Sequence, residues 1–351
     1  LFAREARWLG EDGPTDPAWP AALGAPAEDA AFAWLRNERQ AFAWLNTEAA
    51  ARAATDARAI LAGAPPEVVR EVHDKVFAHR ACEEQGLVPR ALRGLIAVFD
   101  AHELESEGEA VERIQGCLNA WPEWTRGAFT LKPRLGGSGR GRVAGRDGRA
   151  DTRELRDALP RLARQGGALL EPWLNRQRDL SVQLYIAPDG NLTLLGTLEQ
   201  QVSGSGVYRG HSGALDYKAR VTSGSAHEDA ILEAAVEIAR AAHARGFCGP
   251  CGVDAFSFEG PEGLVLRPVV EFNARFTAGT VLLGLLHRVR ERAAEPLAIA
   301  AGQRRAFRFA LDASAEAGDA PERMRLSLAA EGESLQPTLW IAHTPDGQMD
   351  A

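Results

Sequence analysis

Long apolar runs are missing from this chain of 351 residues. A stretch such as Thr280-Val-Leu-Leu-Gly-Leu-Leu286 falls far short of the roughly 20 residues that a membrane-spanning helix needs. Cysteine is scarce, with four in all (Cys82, Cys117, Cys248, Cys251), which excludes a scaffold built on disulfides. Positive charge is in deficit: 40 Lys and Arg against 48 Asp and Glu leave a net charge of −8. That argues against a nucleic-acid coat or a polybasic membrane surface, although locally gathered cations can still hold phosphates. No signal-peptide pattern opens the chain, so the cytoplasm is the default compartment. Its first residue is Leu1 and not Met, which leaves open whether residues precede it. The eight histidines form no HExxH pair, and no Gly-Lys-Ser/Thr of a Walker A loop occurs.

What is present is an ordinary globular composition, 45% hydrophobic and 25% charged, long enough for two or three subdomains. Residues 1–71 are rich in Ala, Trp and Pro, with helical pieces expected near 28–52 and 66–71 and no strand. Further on, the patterns predict helices at 74–85 (ended by Gly86), 108–120, 151–164 (disrupted at Pro160), 225–245 and 278–301. Ser225-Ala-His-Glu228 reads as a capping box opening the fourth of these. Strands are expected at 92–99, 129–134, 168–174, 179–186, 192–198, 252–258, 264–273, 307–311 and 337–342, with a Gly/Ser-rich loop at 203–213. Pro188-Asp-Gly-Asn191 makes a hairpin turn, and Pro268 implies an edge or a bulge. The order is mixed and hairpin-rich, an α+β layout.

Within Gly252-Val-Asp-Ala-Phe256 and Val270-Glu-Phe-Asn-Ala-Arg275, polar residues interrupt apolar runs. Strand side chains alternate, so Glu271, Asn273 and Arg275 share one face and Phe272 and Ala274 the other. A carboxylate, an amide and a guanidinium on one buried face are costly without something to coordinate. Asp254, Glu271 and Asn273 are hard oxygen ligands suited to Mg²⁺, which usually shares itself with substrate phosphates. The alternative is a strand with one wet face and a chance ion pair. A second feature is Leu135-Gly-Gly-Ser-Gly-Arg-Gly141, which follows a strand bearing Lys132 and Arg134. Glycines free backbone N–H groups to cradle phosphate oxygens, and lysine adds a point charge. The chain continues through Arg142-Val-Ala and another turn before any helix, which describes a hairpin flap. A flexible surface hairpin is the competing reading.

A strand-borne lysine, a glycine flap, Glu171-Pro-Trp-Leu174 and a terminal Asp…Glu-X-Asn-X-Arg occur in one order over about residues 72–300. That combination resembles the ATP-grasp superfamily, of carboxylate–amine ligase type. The resemblance implies two α+β subdomains clasping ATP, at 72–174 and 175–351, behind a partly helical N-terminal region at 1–71. It implies ATP and Mg²⁺ as cofactors, with Mn²⁺ as a substitute, and a homodimer as a family-level expectation. Lys75 and Lys132 would reach the nucleotide phosphates, under a flap formed by Gly136, Gly137, Ser138 and Gly139. Glu171, Trp173 and Leu174 would form the hinge at the adenine, and Asp179 would hold the ribose. Asp254, Glu271 and Asn273 would hold the metal, and Arg275 would lie beside the reacting phosphate and acyl group. Asp stands at 254 where many such ligases have Glu, and the insertion Asn175-Arg-Gln-Arg178 shifts the ribose acid.

The implied chemistry activates a small-molecule or peptide carboxylate as an acylphosphate and joins it to an amine. Arg209 and His211 in the 203–213 loop, with Lys218, are candidates to line the acceptor site; a solvated linker is the alternative for that loop. Two rival functions remain open. A non-catalytic ATP-binding sensor would keep the same ligands. A thiol–disulfide oxidoreductase would use Cys248-Gly-Pro-Cys251, although that motif follows a helix instead of opening one.

Overall fold

The computed structural model describes residues 40–136, 141–204, 207–292, 299, 301 and 303–310, with the strand segments 323–327 and 338–342. Two short strands, β1 (Gln40–Ala41) and β2 (Ile60–Leu61), pair in parallel where the sequence suggested no strand. Two residues give no periodicity to read. Between them, α1 (Glu48–Asp56) is capped by Thr47, whose hydroxyl accepts the Ala50 N–H. Helix α2 (Pro66–His73) opens on proline, and α3 (Lys75–Glu84) follows at once, capped by the Asp74 carboxylate on the Val76 N–H at 2.9 Å. Gly86 ends it in the left-handed region (φ +68°), and Leu87 N–H returns to the Cys82 carbonyl.

The next unit comprises β3 (Ala97–Asp100), α4 (Glu107–Ala120), β4 (Phe129–Pro133), β5 (Val143–Gly145), α5 (Arg153–Arg164) and β6 (Gly167–Pro172). Its strands form a four-stranded antiparallel sheet in the order β3-β6-β4-β5. Both helices pack on that sheet through Ile114, Leu118, Leu155 and Leu159. The strand expected over 92–99 is confined to its second half, because a 3₁₀ turn takes Arg90–Leu92. Pro160 does not interrupt α5; it lies on the exposed side, where water can satisfy the carbonyl it leaves unpaired.

The remaining elements are β7 (Arg176–Ile186), β8 (Leu192–Val202), β9 (Tyr208–Asp216), β10 (Val221–Thr222), α6 (Glu228–Ala244), β11 (Gly249–Gly260), β12 (Gly263–Asn273), α7 (Ala278–Arg292), β13 (Arg304–Ala310), β14 (Arg323–Ser327) and β15 (Thr338–Ala342). Among the described residues they form a nine-stranded antiparallel sheet, β12-β11-β7-β8-β9-β13-β15-β14, with β10 beside β9. Four elements differ from the sequence expectation, among them β10, a two-residue strand where none was expected. The loop at 203–213 gives way to strand β9 from Tyr208 onward, because Gly210 lets the chain run against the Phe309 carbonyl, where a Cβ would sit only 1.9 Å away. Ser225 accepts the His227 N–H at 3.1 Å, so His227 is the N-cap of α6 and Ser225 lies two residues outside. Strand β14 occupies a stretch where the sequence suggested none.

Alternation along the large sheet sorts its two faces. Leu180, Val182, Leu184, Cys251, Val253, Ala255 and Phe272 are buried against α2, α3 and α6. Asp179, Ser181, Asp254 and Glu271 point the other way, as their cross-strand pairing requires. β12 is an edge strand and carries a bulge: the three residues Asp254 to Phe256 of β11 oppose the five from Glu271 back to Arg267, which include Pro268. Helix α3, with Ala78, Ala81 and Cys82, packs into the core of the large sheet. Residues of α3 thus pack with the large sheet, while the strands of the four-stranded sheet lie within 97–172. A cluster of Leu92, Leu95, Leu174, Phe256 and Phe258, with Trp121 and Trp124, joins the two sheets.

Candidate functional site

On the large sheet, Asp254 on β11 and Glu271 on β12 are direct cross-strand partners, so two carboxylates share a face of the sheet. Lys75, at the first turn of α3, lies with its Nζ 3.5 Å from Glu271 Oε2 and donates to the Gly136 carbonyl at 2.8 Å. One ammonium thus joins the carboxylate pair to the start of the glycine loop. Asn273 donates to Asp254 Oδ2 at 2.9 Å and accepts from Arg275 Nη2 at 3.0 Å. Gln200, on β8, reaches Asp254 Oδ1 at 2.5 Å. Arg275 also donates to the Phe276 carbonyl and lies over the Trp44 ring, 5.8 Å from its centroid.

The electrostatics here are uneven. Burial, with the charge of Glu271, pushes Asp254 up to about 7, against the hydrogen bonds from Asn273 and Ser181 and the charge of Arg275. Burial would also raise Glu271, but Lys75, Lys132, His73 and Arg275 hold it down to about 2. His73, behind the pair, is pushed down to about 4 by burial and by Arg275 and Lys75. Among the described residues no group of three or more His, Cys, Asp or Glu gathers around one point, so a metal here would rest on two carboxylates. The donor chemistry fits a hard cation: oxygen ligands, and a second buried negative charge that nothing in the chain neutralises completely.

On the four-stranded sheet, Glu171 on β6 is buried and forms an ion pair with Lys132 on β4. Arg267 on β12 donates to Glu171 Oε2 through both Nη atoms at 3.0 Å. Arg142 lies 4.6 Å over the Trp173 ring, and Arg176 lies over the rings of both Trp173 and Phe256. Asp179 is paired with Arg176 at 2.8 Å. The Trp173 N–H donates to the Ala128 carbonyl at 2.8 Å, extending the four-stranded sheet by one bond. Of the glycine loop, Gly136 is described (φ +145°), and Gly137, Ser138 and Gly139 lie outside the described residues.

The acceptor candidates separate. His211 is buried on β9, its Nδ1 2.6 Å from the Tyr208 hydroxyl, its Nε2 without a hydrogen-bond partner, and its pKa pushed down to about 3 by burial. It pairs in register with Gln200, which touches Asp254. Arg209 is exposed on β9, and Lys218 is exposed in the β9–β10 turn with its ammonium 5.5 Å over the Tyr217 ring.

No family model and no curated protein matches the chain. Solved structures do. Biotin carboxylase from Campylobacter jejuni, in a β-γ-ATP complex, superposes with a TM-score of 0.51 at 15% identity, covering 84% of this chain and 68% of that one. The biotin carboxylase domain dimer of Hydrogenobacter thermophilus 2-oxoglutarate carboxylase, with MgADP, ADP and bicarbonate, gives 0.51 at 15%, covering 84% and 67%. N5-carboxyaminoimidazole synthetase from Staphylococcus aureus, complexed with ADP, gives 0.44 at 14%, covering 72% of this chain. The chain spans 60% of that synthetase. The fold is ATP-grasp.

Several groups around these two clusters were not singled out from the sequence: Arg267, His73, Gln200 and Tyr208. Arg267 had a legible signal, since a lone arginine in Leu264-Val-Leu-Arg-Pro-Val-Val270 asks for a buried partner. Gln200 and Tyr208 had none, because their contacts depend on strand register. The cysteine pair contributes nothing that a redox centre requires. Burial pushes both thiols up, Cys251 lies in the core and Cys248 is half-buried, whereas reactive thiols need a lowered pKa. Among the described residues no helix is long and apolar enough to cross a membrane.

Proposed function

We propose that the chain is an ATP- and Mg²⁺-dependent ligase that activates a carboxylate as an acylphosphate and joins it to an amine, releasing ADP and phosphate. One observation carries this reading: the unbroken series Gly136–Lys75–Glu271–Asp254–Asn273–Arg275, which joins the phosphate-type loop to a carboxylate pair and a guanidinium. It sits on a fold that in Campylobacter jejuni biotin carboxylase occurs in a β-γ-ATP complex and in the Hydrogenobacter domain with MgADP.

In this reading Lys75 and Lys132 bind nucleotide phosphates, with the backbone of Gly136, Gly137, Ser138 and Gly139 closing over them. The Trp173 carbonyl and the Leu174 N–H meet the adenine edge beside Glu171, and Asp179 takes the ribose. Asp254 and Glu271, with Asn273 at their side, hold Mg²⁺, which when bound neutralises phosphate charge. Arg275 orients the acid. A carboxylate oxygen attacks the γ-phosphorus while the bond to the bridging β,γ-oxygen breaks and ADP leaves. The amine nitrogen then attacks the acyl carbon, expels inorganic phosphate and gives up a proton. Such transfer depends on positioning and charge neutralisation more than on a protein nucleophile. Lys75, Lys132 and Arg275 supply both.

The test is ADP release from ATP and Mg²⁺ across a panel of acids and amines, with calorimetric titration of Mg·ADP alongside. Release that requires both an acid and Mg²⁺ is expected. Nucleotide binding without release for any acid would point to the sensor instead.

A further inference from the structure

A cavity of about 40 Å³ has Arg275 in its wall. Its walls come from two parts of the chain that no catalytic role requires to meet. Phe42, Trp44 and Ala62 belong to the N-terminal segment; Tyr185, Phe247 and Cys248 belong to the large sheet and the turn before β11. The two parts are latched together. Ala64 N–H donates to the Cys248 carbonyl at 2.9 Å, and the Asn46 amide donates to the Ala62 and Ala64 carbonyls at 2.8 Å each. Gly63 (φ +90°) passes so close that a Cβ there would lie 3.2 Å from the Cys248 carbonyl. This is a built, mostly apolar chamber with one charged group, Arg275, in its wall.

Arg275 also belongs to the site, through Asn273. A guanidinium has five N–H donors, and two hydrogen bonds account for two of them, those to Asn273 and Phe276. The rest can take a carboxylate in two-pronged fashion. A carboxylate held there has the cavity directly beside it. The volume restricts the occupant: a dry cavity of about 150 Å³ accommodates benzene, so 40 Å³ holds much less.

Building on the ligase reading, we infer that the acid it activates carries a short aliphatic tail, too small to be an aromatic ring, seated in this cavity with its carboxylate on Arg275. Apolar walls favour burial of a few methyl or methylene groups, each worth about 0.8 kcal/mol, and reject a charged tail.

The experiment titrates propanoate, 3-phenylpropanoate and succinate calorimetrically into protein saturated with Mg·ADP. Wild type is expected to bind propanoate at least tenfold more tightly than either of the others. Phe42→Ala, which enlarges the chamber, is expected to narrow or reverse the preference over 3-phenylpropanoate. Ala62→Leu, which fills it, is expected to weaken propanoate at least tenfold with Mg·ADP affinity unchanged. A readout that needs no variant is alkylation followed by peptide mass spectrometry. Propanoate should slow modification of Cys248 and leave Cys117, in the other sheet's core, as the internal control. Equal binding of the three acids, or Cys248 unprotected, overturns the inference while leaving the ligase reading intact. Failure to bind Mg·ADP overturns that reading and this one with it.

Discussion

Where β6 meets β4 and Arg267, one buried carboxylate, Glu171, faces two cations, Lys132 and Arg267. On the large sheet two carboxylates, Asp254 and Glu271, share a face with Lys75 and Arg275 at their margins. Both groups use the same side-chain chemistry, and they are balanced oppositely. Burial raises the Glu171 pKa, but Arg267 and Lys132 outweigh it and hold the carboxyl well below the usual range. Asp254 receives too little of this help and rises to about 7. The first group is closed and behaves as an ionic joint between the sheets. The second keeps negative charge that a cation from outside can neutralise, as the proposed Mg²⁺ would.

The sharpest way to break the contrast is Arg267→Ala. It leaves Glu171 buried with half its partners, and loss of one member of a buried pair costs about 3–5 kcal/mol. Denaturant unfolding should show that loss; a change below about 1 kcal/mol would mean the joint is not structural. Next comes Glu271→Gln, which should lower the rate of ADP release about 100- to 1000-fold with a smaller loss of Mg·ADP affinity, read by coupled assay and calorimetry.

How much of this contrast could be read in advance depends on the residue. Glu271 and Asn273 were legible because strand period is fixed: alternate polar residues in an apolar run share a face. Arg275 departs from that expectation, since β12 ends at Asn273 and Arg275 lies in the bend beyond, from which its guanidinium reaches Asn273. Asp254 was legible for the same reason on the partner strand. Lys75 was placed only by resemblance, and its packing with the large sheet instead of the four-stranded one was hidden, since helix docking depends on distant contacts. Tyr208 to Ser212 looked like a loop because Gly210 and Gly213 mask the strand pattern; those glycines are there for close approach to β13. The α+β order was visible from turns and caps. The pairing of β9 with β13, many residues away, left no local mark.

Two smaller effects sharpen the comparison. Lys132→Ala should weaken Mg·ADP binding about tenfold, or about 1.4 kcal/mol, and destabilise less than Arg267→Ala, because Arg267 still holds Glu171 by two bonds. Calorimetry with parallel unfolding would separate the two losses; unchanged nucleotide affinity would remove Lys132 from the phosphate site. The last effect is a pH dependence. Glu171 has its folded pKa depressed below 4.5, so its stabilisation is fully present above that pH and is lost as the pH falls through the lower folded value. Melting temperature followed downward from pH 5 should therefore fall more steeply in wild type than in the double variant Glu171→Gln/Arg267→Met, which has no such carboxylate to protonate. Parallel curves would mean that the joint contributes no proton linkage.

The fork between Glu171 and Arg267 has a mechanical consequence. Glu171 stands on the last strand of the four-stranded sheet and Arg267 on the edge strand of the larger one, so their two hydrogen bonds are a short, inextensible link between two rigid plates. The Lys75 N–H on the Arg134 carbonyl and the Arg134–Asp74 pair make a second link between the same two units. Two links set a fixed span, so the gap bridged by Lys75 and Gly136 has its width dictated at both ends.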